Sequence, residues 1–219
     1  MAPLGTFMTK PFSTLRLTVA ALLTLGLVAC GQSGSKGAIK VDELSEGKAD
    51  APVTVVEYAS VACPICAQVN EKMMPVFKSK YVETGKVRYV YRPMMTGNAA
   101  VAAAGHMLAN CVSRDKALTV IDSIMRAQPE MDRGGAPEQY ANARPVLLRV
   151  AQSAGLREAD FNRCVTDPAG LNALNELNQQ ALKDGVTGTP TFLINGKTVQ
   201  LSRYEIEELS AHIDPLLKK

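Results

Sequence analysis

Val53-Thr54-Val55-Val56-Glu57-Tyr58, followed after four intervening residues by Cys63-Pro64-Ile65-Cys66, is the stretch on which the reading of this chain turns. The first segment has the β-branched, near-continuous apolar character of a buried strand. Two thiols spaced three apart can close into a disulfide and reopen. Pro is well suited to the first position of a helix, so Pro64 predicts that a helix begins there. Cys63 then lies beside the unpaired N–H groups of the first turn, where the positive end of the helix dipole favours a thiolate and makes Cys63 the attacking sulfur. The i,i+3 spacing puts Cys66 on the same helical face, deeper, as the resolving thiol. The same spacing also serves zinc sites and structural thiol pairs, so the surrounding sequence has to decide.

Two further segments supply that context. Lys86 to Tyr91 alternates as a second strand, with Val87, Tyr89 and Tyr91 on one face and Arg88 and Val90 on the other. Far downstream, Gly188-Thr189-Pro190 leads into Thr191-Phe192-Leu193-Ile194 and an Asn195-Gly196 hairpin signal. With these residues in place the sequence resembles the thioredoxin superfamily, and within it the DsbA-like thiol:disulfide oxidoreductases, over roughly residues 51 to 217. The resemblance implies an α/β thioredoxin-like fold with an inserted all-helical domain. It also implies a cis peptide bond at Pro190, with the backbone of Thr189 beside Cys63 as a docking edge for substrate. Against an ordinary trans Pro opening a strand, the dithiol and the Gly-Thr-Pro spacing favour cis.

The amino terminus reads as an export signal, with Lys10 and Arg16 followed by the apolar run Leu17 to Val28. Leu27-Val28-Ala29-Cys30-Gly31 resembles a bacterial lipobox, in which Cys30 would be lipidated and become the first mature residue. An ordinary signal cut near Ala29 is the alternative, and Met8 could serve as the start instead of Met1. Removal of residues 1–29 leaves 190 of the 219 residues, with 22 basic against 21 acidic side chains. A near-neutral surface with no basic cluster gives no reason to expect nucleic-acid binding.

Five cysteines are an odd number, but with Cys30 assigned to lipid four remain: Cys63, Cys66, Cys111 and Cys164. In an exported protein disulfides persist, so Cys111 and Cys164 read as a second, structural bridge. The other possibility is that both are small buried apolar residues that never meet. The extra disulfide carried in the helical domain of some DsbA-like proteins is consistent with the bridge.

The expected organisation is a signal peptide of lipoprotein type (1–29), a tether (30–50), the first half of the thioredoxin-like domain (51–97), the inserted helical domain (98–170) and the second half (171–219). Helical patterns run over Cys63 to Tyr81, Ala99 to Asn110, Lys116 to Ala127, Pro137 to Ala154, Leu171 to Lys183 and Tyr204 to Leu217. Gly134-Gly135-Ala136-Pro137 and Asp167-Pro168 punctuate them. Met73, Met74, Val76 and Phe77 recur at helical spacing and read as core packing in preference to a methionine metal site, since no His accompanies them.

Glu57 stands where thioredoxin-like proteins often place a buried acid beneath the dithiol, so the resemblance makes it a proton carrier for Cys66. The residues alone equally allow a half-exposed strand carboxylate paired with Arg88 or Arg92. His106 and His212 fall on helical stretches and read as surface or core histidines. Pro64 and Ile65, between the cysteines, are the redox-tuning positions. Strongly oxidising members commonly carry Pro-His there, and Ile cannot support a thiolate as His can.

These readings converge on an envelope dithiol oxidase, lipid-anchored on the periplasmic side through Cys30. It would act on substrate proteins with free cysteines, be reoxidised by a redox partner, and need no cofactor and no metal. A disulfide isomerase or reductase is the neighbouring alternative. A metal-delivery protein using the same thiolates is the alternative from a different class.

Overall fold

The computed structural model describes residues 44–133 and 139–218. The leader, Cys30, the tether up to residue 43 and the Gly134-Gly135-Ala136-Pro137 break lie outside these described residues. Five strands form one sheet in the order β1-β3-β2-β4-β5, comprising β1 (Leu44–Glu46), β2 (Val53–Ala59), β3 (Val87–Pro93), β4 (Thr191–Ile194) and β5 (Lys197–Val199). β2 and β3 run parallel, with Val55 opposite Tyr89 and Glu57 opposite Tyr91. The other neighbours are antiparallel. The parallel pair is joined through helix, as parallel strands require: α1 (Pro64–Lys72), α2 (Met74–Phe77) and a π-helical turn at Lys78–Val82.

The alternation expected of a sheet covered on both faces holds along β2 and β3. Val53, Val55, Ala59, Val87, Tyr89 and Tyr91 face one core with Cys66, Val69, Phe77, Leu209 and Ile213. Val56, Tyr58, Val90 and Met94 face the other, with Ala181 and Val186. Burying a large apolar side chain such as Phe77 contributes about 1.5–3 kcal/mol, so the first, larger cluster carries most of the driving force for docking the dithiol helix onto the sheet.

Between β3 and β4 the described residues form helices: α3 (Ala99–Cys111), α4 (Arg114–Arg126), α5 (Gln128–Met131), α6 (Ala143–Ser153), α7 (Glu158–Val165) and α8 (Pro168–Lys183). Local chemistry starts two of them. The Asn98 side chain accepts the Val101 N–H to cap α3, and the Asp167 side chain accepts the Gly170 N–H to cap α8, with Pro168 in its first turn. α3 packs on α4 and α7, and α4 on α1. The chain closes with α9 (Ile206–Ile213) and a 3-10 turn at Asp214–Leu217.

Several elements differ from the sequence reading; α5 has no expected counterpart, and of the helix expected from Pro137 to Ala154 the described part begins only at Ala143. Leu44–Glu46, assigned to the tether, is strand β1, paired antiparallel along the free edge of β3 with Leu44 buried. A three-residue strand with one apolar side chain offers no alternation to read, and its shortness and its charged Glu46 suit an edge position. The continuous helix expected from Cys63 to Tyr81 breaks at Met73, because Pro75 has no N–H to donate back along the helix and its ring collides with the preceding turn. Helix α7, between Leu156 and Asp167, has no counterpart among the expected helices.

Candidate functional site

Cys63 is the N-cap of α1, with extended backbone (φ −97°, ψ 119°) and Pro64 in the first turn. Its sulfur accepts the Cys66 backbone N–H at 3.3 Å, the interaction a helix N-terminus offers to an anion. The thiol also lies 3.5 Å from the Thr189 carbonyl oxygen, to which it can donate. Both Cys63 and Cys66 are reduced. Cys63 is 7% exposed and Cys66 fully buried.

That asymmetry separates the two thiols electrostatically. The Cys63 thiol is pulled down to about 6, first by the hydrogen bond from the Cys66 side chain, against the cost of burial, then by Thr189 and the first-turn N–H groups of Cys66 and Ile65. Cys66 moves the opposite way, well above its ordinary value, because burial and the neighbouring Cys63 both disfavour a second charge. One proton is therefore shared unequally: Cys63 is the thiolate and Cys66 the thiol that hydrogen-bonds to it.

The Thr189–Pro190 peptide bond is cis. Thr189 Oγ1 hydrogen-bonds with Thr96 Oγ1, and Thr191 Oγ1 donates to the Gly188 carbonyl at 2.7 Å. These contacts fix the turn that faces Cys63. Beside it runs a groove of about 600 Å³, lined among others by Ile65, Gln68, Met73, Thr189, Tyr204 and Ile206. Ile65 is 43% exposed at its edge. On the far wall the Glu208 carboxylate accepts the successive backbone N–H groups of Ser202, Arg203 and Tyr204 at 2.9–3.2 Å, which holds that loop to α9.

Glu57 is buried at 2% exposure on the face of β2 that looks toward the dithiol helix. Its carboxylate accepts the Tyr89 hydroxyl at 2.6 Å, while Arg92 donates to the Tyr58 hydroxyl on the opposite face. The half-exposed carboxylate paired with arginine is thereby corrected: residues 57 and 92 project to different sides of the sheet, and a tyrosine occupies the position of the expected cation. Burial lifts the Glu57 carboxyl to about 7, against the pull of Tyr89 and Lys78, with the Cys63 charge adding to the rise. A carboxyl poised near neutrality on the sheet face under the dithiol helix has the acidity that general acid–base work needs.

Cys111 and Cys164 are joined, S–S 1.99 Å, tying the end of α3 to α7. His106 is buried in α3 near the Tyr91 ring, with neither ring nitrogen hydrogen-bonded. Burial pulls it down to about 4. His212 lies in the last turn of α9. Among the described residues no three His, Cys, Asp or Glu side chains come together as a metal site. Nor is any described helix long and apolar enough to cross a membrane.

Sequence reasoning missed the supports of the dithiol loop. Ser60 accepts the Ala62 N–H on its hydroxyl and the Cys63 N–H on its carbonyl, both at 3.2 Å, and donates to the Thr96 carbonyl. Gln128 and Tyr140 reach the same loop from the helical segment. Ser60 could have been noticed as a hydroxyl between apolar neighbours. Gln128 and Tyr140 carry no local signal, because their partners lie more than sixty residues away.

Comparison with known proteins bears on the same region. A family model described as thioredoxin matches residues 40–215. A Rickettsia bellii protein named "Putative protein-disulfide oxidoreductase" is 29% identical over 187 residues, covering 84% of this chain and 69% of that protein. Across five such Rickettsia relatives the chain spans about two thirds of their length, between 64% and 69%. Among solved structures, Wolbachia pipientis alpha-DsbA1 superposes with a TM-score of 0.67 at 22% identity, covering 80% of this chain and 91% of that one. Oxidised BdbD from Bacillus subtilis superposes at 0.69 with 20% identity, covering 84% and 97%.

Proposed function

The chain belongs to the thioredoxin family, and from that premise we propose that it is a DsbA-type thiol:disulfide oxidoreductase working as a dithiol oxidase. The observation that carries this is the division of labour at the helix start: a thiolate-favouring Cys63 at the N-cap, 7% exposed, and a fully buried, protonated Cys66 one turn on. In the oxidised protein a substrate thiolate attacks Cys63 Sγ, the Cys63–Cys66 bond breaks, and its electron pair leaves on Cys66, which takes up a proton. A second thiolate of the substrate then attacks the substrate sulfur in the mixed disulfide. Cys63 departs as thiolate, and the substrate leaves with the new bond, two electrons poorer. Glu57 would supply the proton to Cys66, and the Thr189 turn and its groove would hold the substrate strand. The thiolate-stabilising surroundings of Cys63 favour the reduced form and hence the oxidising direction. The relatives named for disulfide oxidoreduction support the same chemistry.

Further parts of the reading are proposed on the sequence. These are residues 98–170 as an inserted helical domain, Cys111–Cys164 as its structural bridge, and export with lipid attachment at Cys30 to the periplasmic side of an envelope membrane. A separate partner would reoxidise the dithiol. The test is to mix the oxidised protein with a reduced, unfolded dithiol substrate. One round of substrate oxidation is expected, with Cys63→Ser inactive; reduced Cys66→Ser, given a substrate disulfide instead, should stop at a mixed disulfide through Cys63. Substrate oxidation that survives Cys63→Ser would overturn the assignment.

A further inference from the structure

The loop leading into the dithiol is held from outside the thioredoxin core. Gln128 Nε2, at the start of α5, donates to the Val61 carbonyl at 2.7 Å and to the Cys63 carbonyl at 3.2 Å. The Tyr140 hydroxyl donates to the Ala62 carbonyl at 3.0 Å. All three bonds are buried. With the N–H groups of Ala62 and Cys63 already bound to Ser60, every peptide group from Val61 to the Cys63 carbonyl has its polar ends tied.

We propose that Gln128 and Tyr140 are positioning residues through which the helical segment sets the reactivity of Cys63. They would hold the Val61 and Ala62 carbonyls pointed away from its sulfur. A carbonyl oxygen is the negative end of a dipole, and turned toward Sγ it would oppose a thiolate. Held by these donors, the two carbonyls stay off the sulfur, which keeps the Cys66 N–H of the first turn of α1 at 3.3 Å and the Thr189 oxygen at 3.5 Å as its neighbours. Both side chains are built into place. Gln128 is 5% exposed and Tyr140 4%. Tyr140 adopts a left-handed backbone (φ 53°), uncommon for a residue with a Cβ, and its N–H is fixed by Asp132 at 3.1 Å. Gly97 completes the cradle: at φ +73° it lies against the loop so closely that an added Cβ would meet the Ala62 oxygen at 2.1 Å. The loop cannot swing toward Gly97, and the Cys63 carbonyl also accepts the Ala67 N–H at 3.1 Å as the first bond of α1, so it is the Val61 and Ala62 carbonyls whose directions depend on the two donors.

The proposal rests on Cys63 being the reactive thiol, and its test does not require that the protein oxidise any substrate. Tyr140→Phe and Gln128→Met keep shape and remove the donors. The doubly substituted Cys111→Ala, Cys164→Ala protein loosens the helical segment without touching the loop and serves as the control. The thiolate absorbance of the reduced proteins near 240 nm is titrated against pH, and stability is measured alongside. Each donor variant is expected to raise the Cys63 midpoint by at least about half a unit, a roughly threefold loss of thiolate over thiol at fixed pH, while the control keeps the wild-type midpoint. Donor variants that lose stability yet titrate with the wild type would overturn the proposal, and so would a control that shifts as far as they do. If the midpoints shift but substrate oxidation is absent, the positioning role stands and the oxidase reading falls.

Discussion

Replacing Cys66 by Ala removes the largest single contribution to the low Cys63 value, the hydrogen bond from the Cys66 thiol, and leaves the backbone N–H at 3.3 Å in place. Hydrogen bonds to charged groups contribute about 1.5–3 kcal/mol, and a thiol is a weak donor, so the lower end applies. That is about one pKa unit. The Cys63 midpoint should therefore move from about 6 to roughly 7 in Cys66→Ala. In Cys66→Ser a hydroxyl donor replaces the thiol and the midpoint should stay near 6 or fall below it. Among the described residues each variant has one titrating thiol, since Cys111 and Cys164 are bonded to each other, and absorbance near 240 nm, measured in a background that lacks the Cys30 thiol, follows it directly. Alkylation gives a second readout. At pH 5.5 the Ala variant should hold about eightfold less thiolate, partly offset by the greater nucleophilicity of a more basic sulfur, leaving it roughly threefold slower than wild type. If the Ala and Ser variants titrate together at the wild-type value, the helix backbone alone holds the thiolate, and the account of how the pair divides one proton is wrong.

Glu57 and His106 should impose opposite pH slopes on stability. A carboxyl raised from 4.5 to about 7 keeps in the folded state a proton that the unfolded chain releases, so its contribution falls as pH rises through that window. A histidine lowered from 6.5 to about 4 loses its contribution as pH falls from 6.5 toward 4. The two largely cancel in the wild type, and Glu57→Gln should uncover a stability that climbs from pH 4 to 6.5 by up to about 3 kcal/mol in urea unfolding; a flat profile would contradict the burial argument for His106. Ile65→His should make the dithiol more oxidising, because a histidine beside Cys63 supports the thiolate, and an unchanged or lower potential in glutathione buffers would show that Thr189 and the helix set the poise. Opening the 53-residue loop between Cys111 and Cys164 with the double Ala substitution should cost up to about 4 kcal/mol of stability on the loop-entropy relation, and a loss within error of zero would mean that the bridge does not constrain the unfolded chain.

What could be read in advance was local. The run Val53 to Tyr58, the alternation from Val87 to Tyr91, Pro64 after Cys63, and Asn195-Gly196 each announce their conformation through their own side chains, and the structure puts strand, helix start and hairpin there. The burial of Glu57 was half legible, since an acid within an apolar strand signals either function or an edge. What decided it is Tyr89, a hydroxyl on the neighbouring strand. β1 was invisible because a three-residue edge strand draws its stability from the open edge of β3 and not from its own pattern. Gln128 and Tyr140 were invisible for a related reason: a polar side chain on a helix reads as solvated surface until the carbonyls it meets are known.

The central claim is that Cys63 and Cys66 form a reversible dithiol whose reduced form carries one thiolate at neutral pH. Its most direct test is the equilibrium of the pair with glutathione buffers, converted to a potential and followed from pH 5 to pH 8. A thiol midpoint of about 6 makes reduction take up two protons below that pH and one above it. The potential should then fall by roughly 60 mV per pH unit at first and by roughly 30 mV beyond a break near pH 6, at two electrons throughout. A single two-proton slope up to pH 8, or a pair that does not exchange with glutathione, would contradict it.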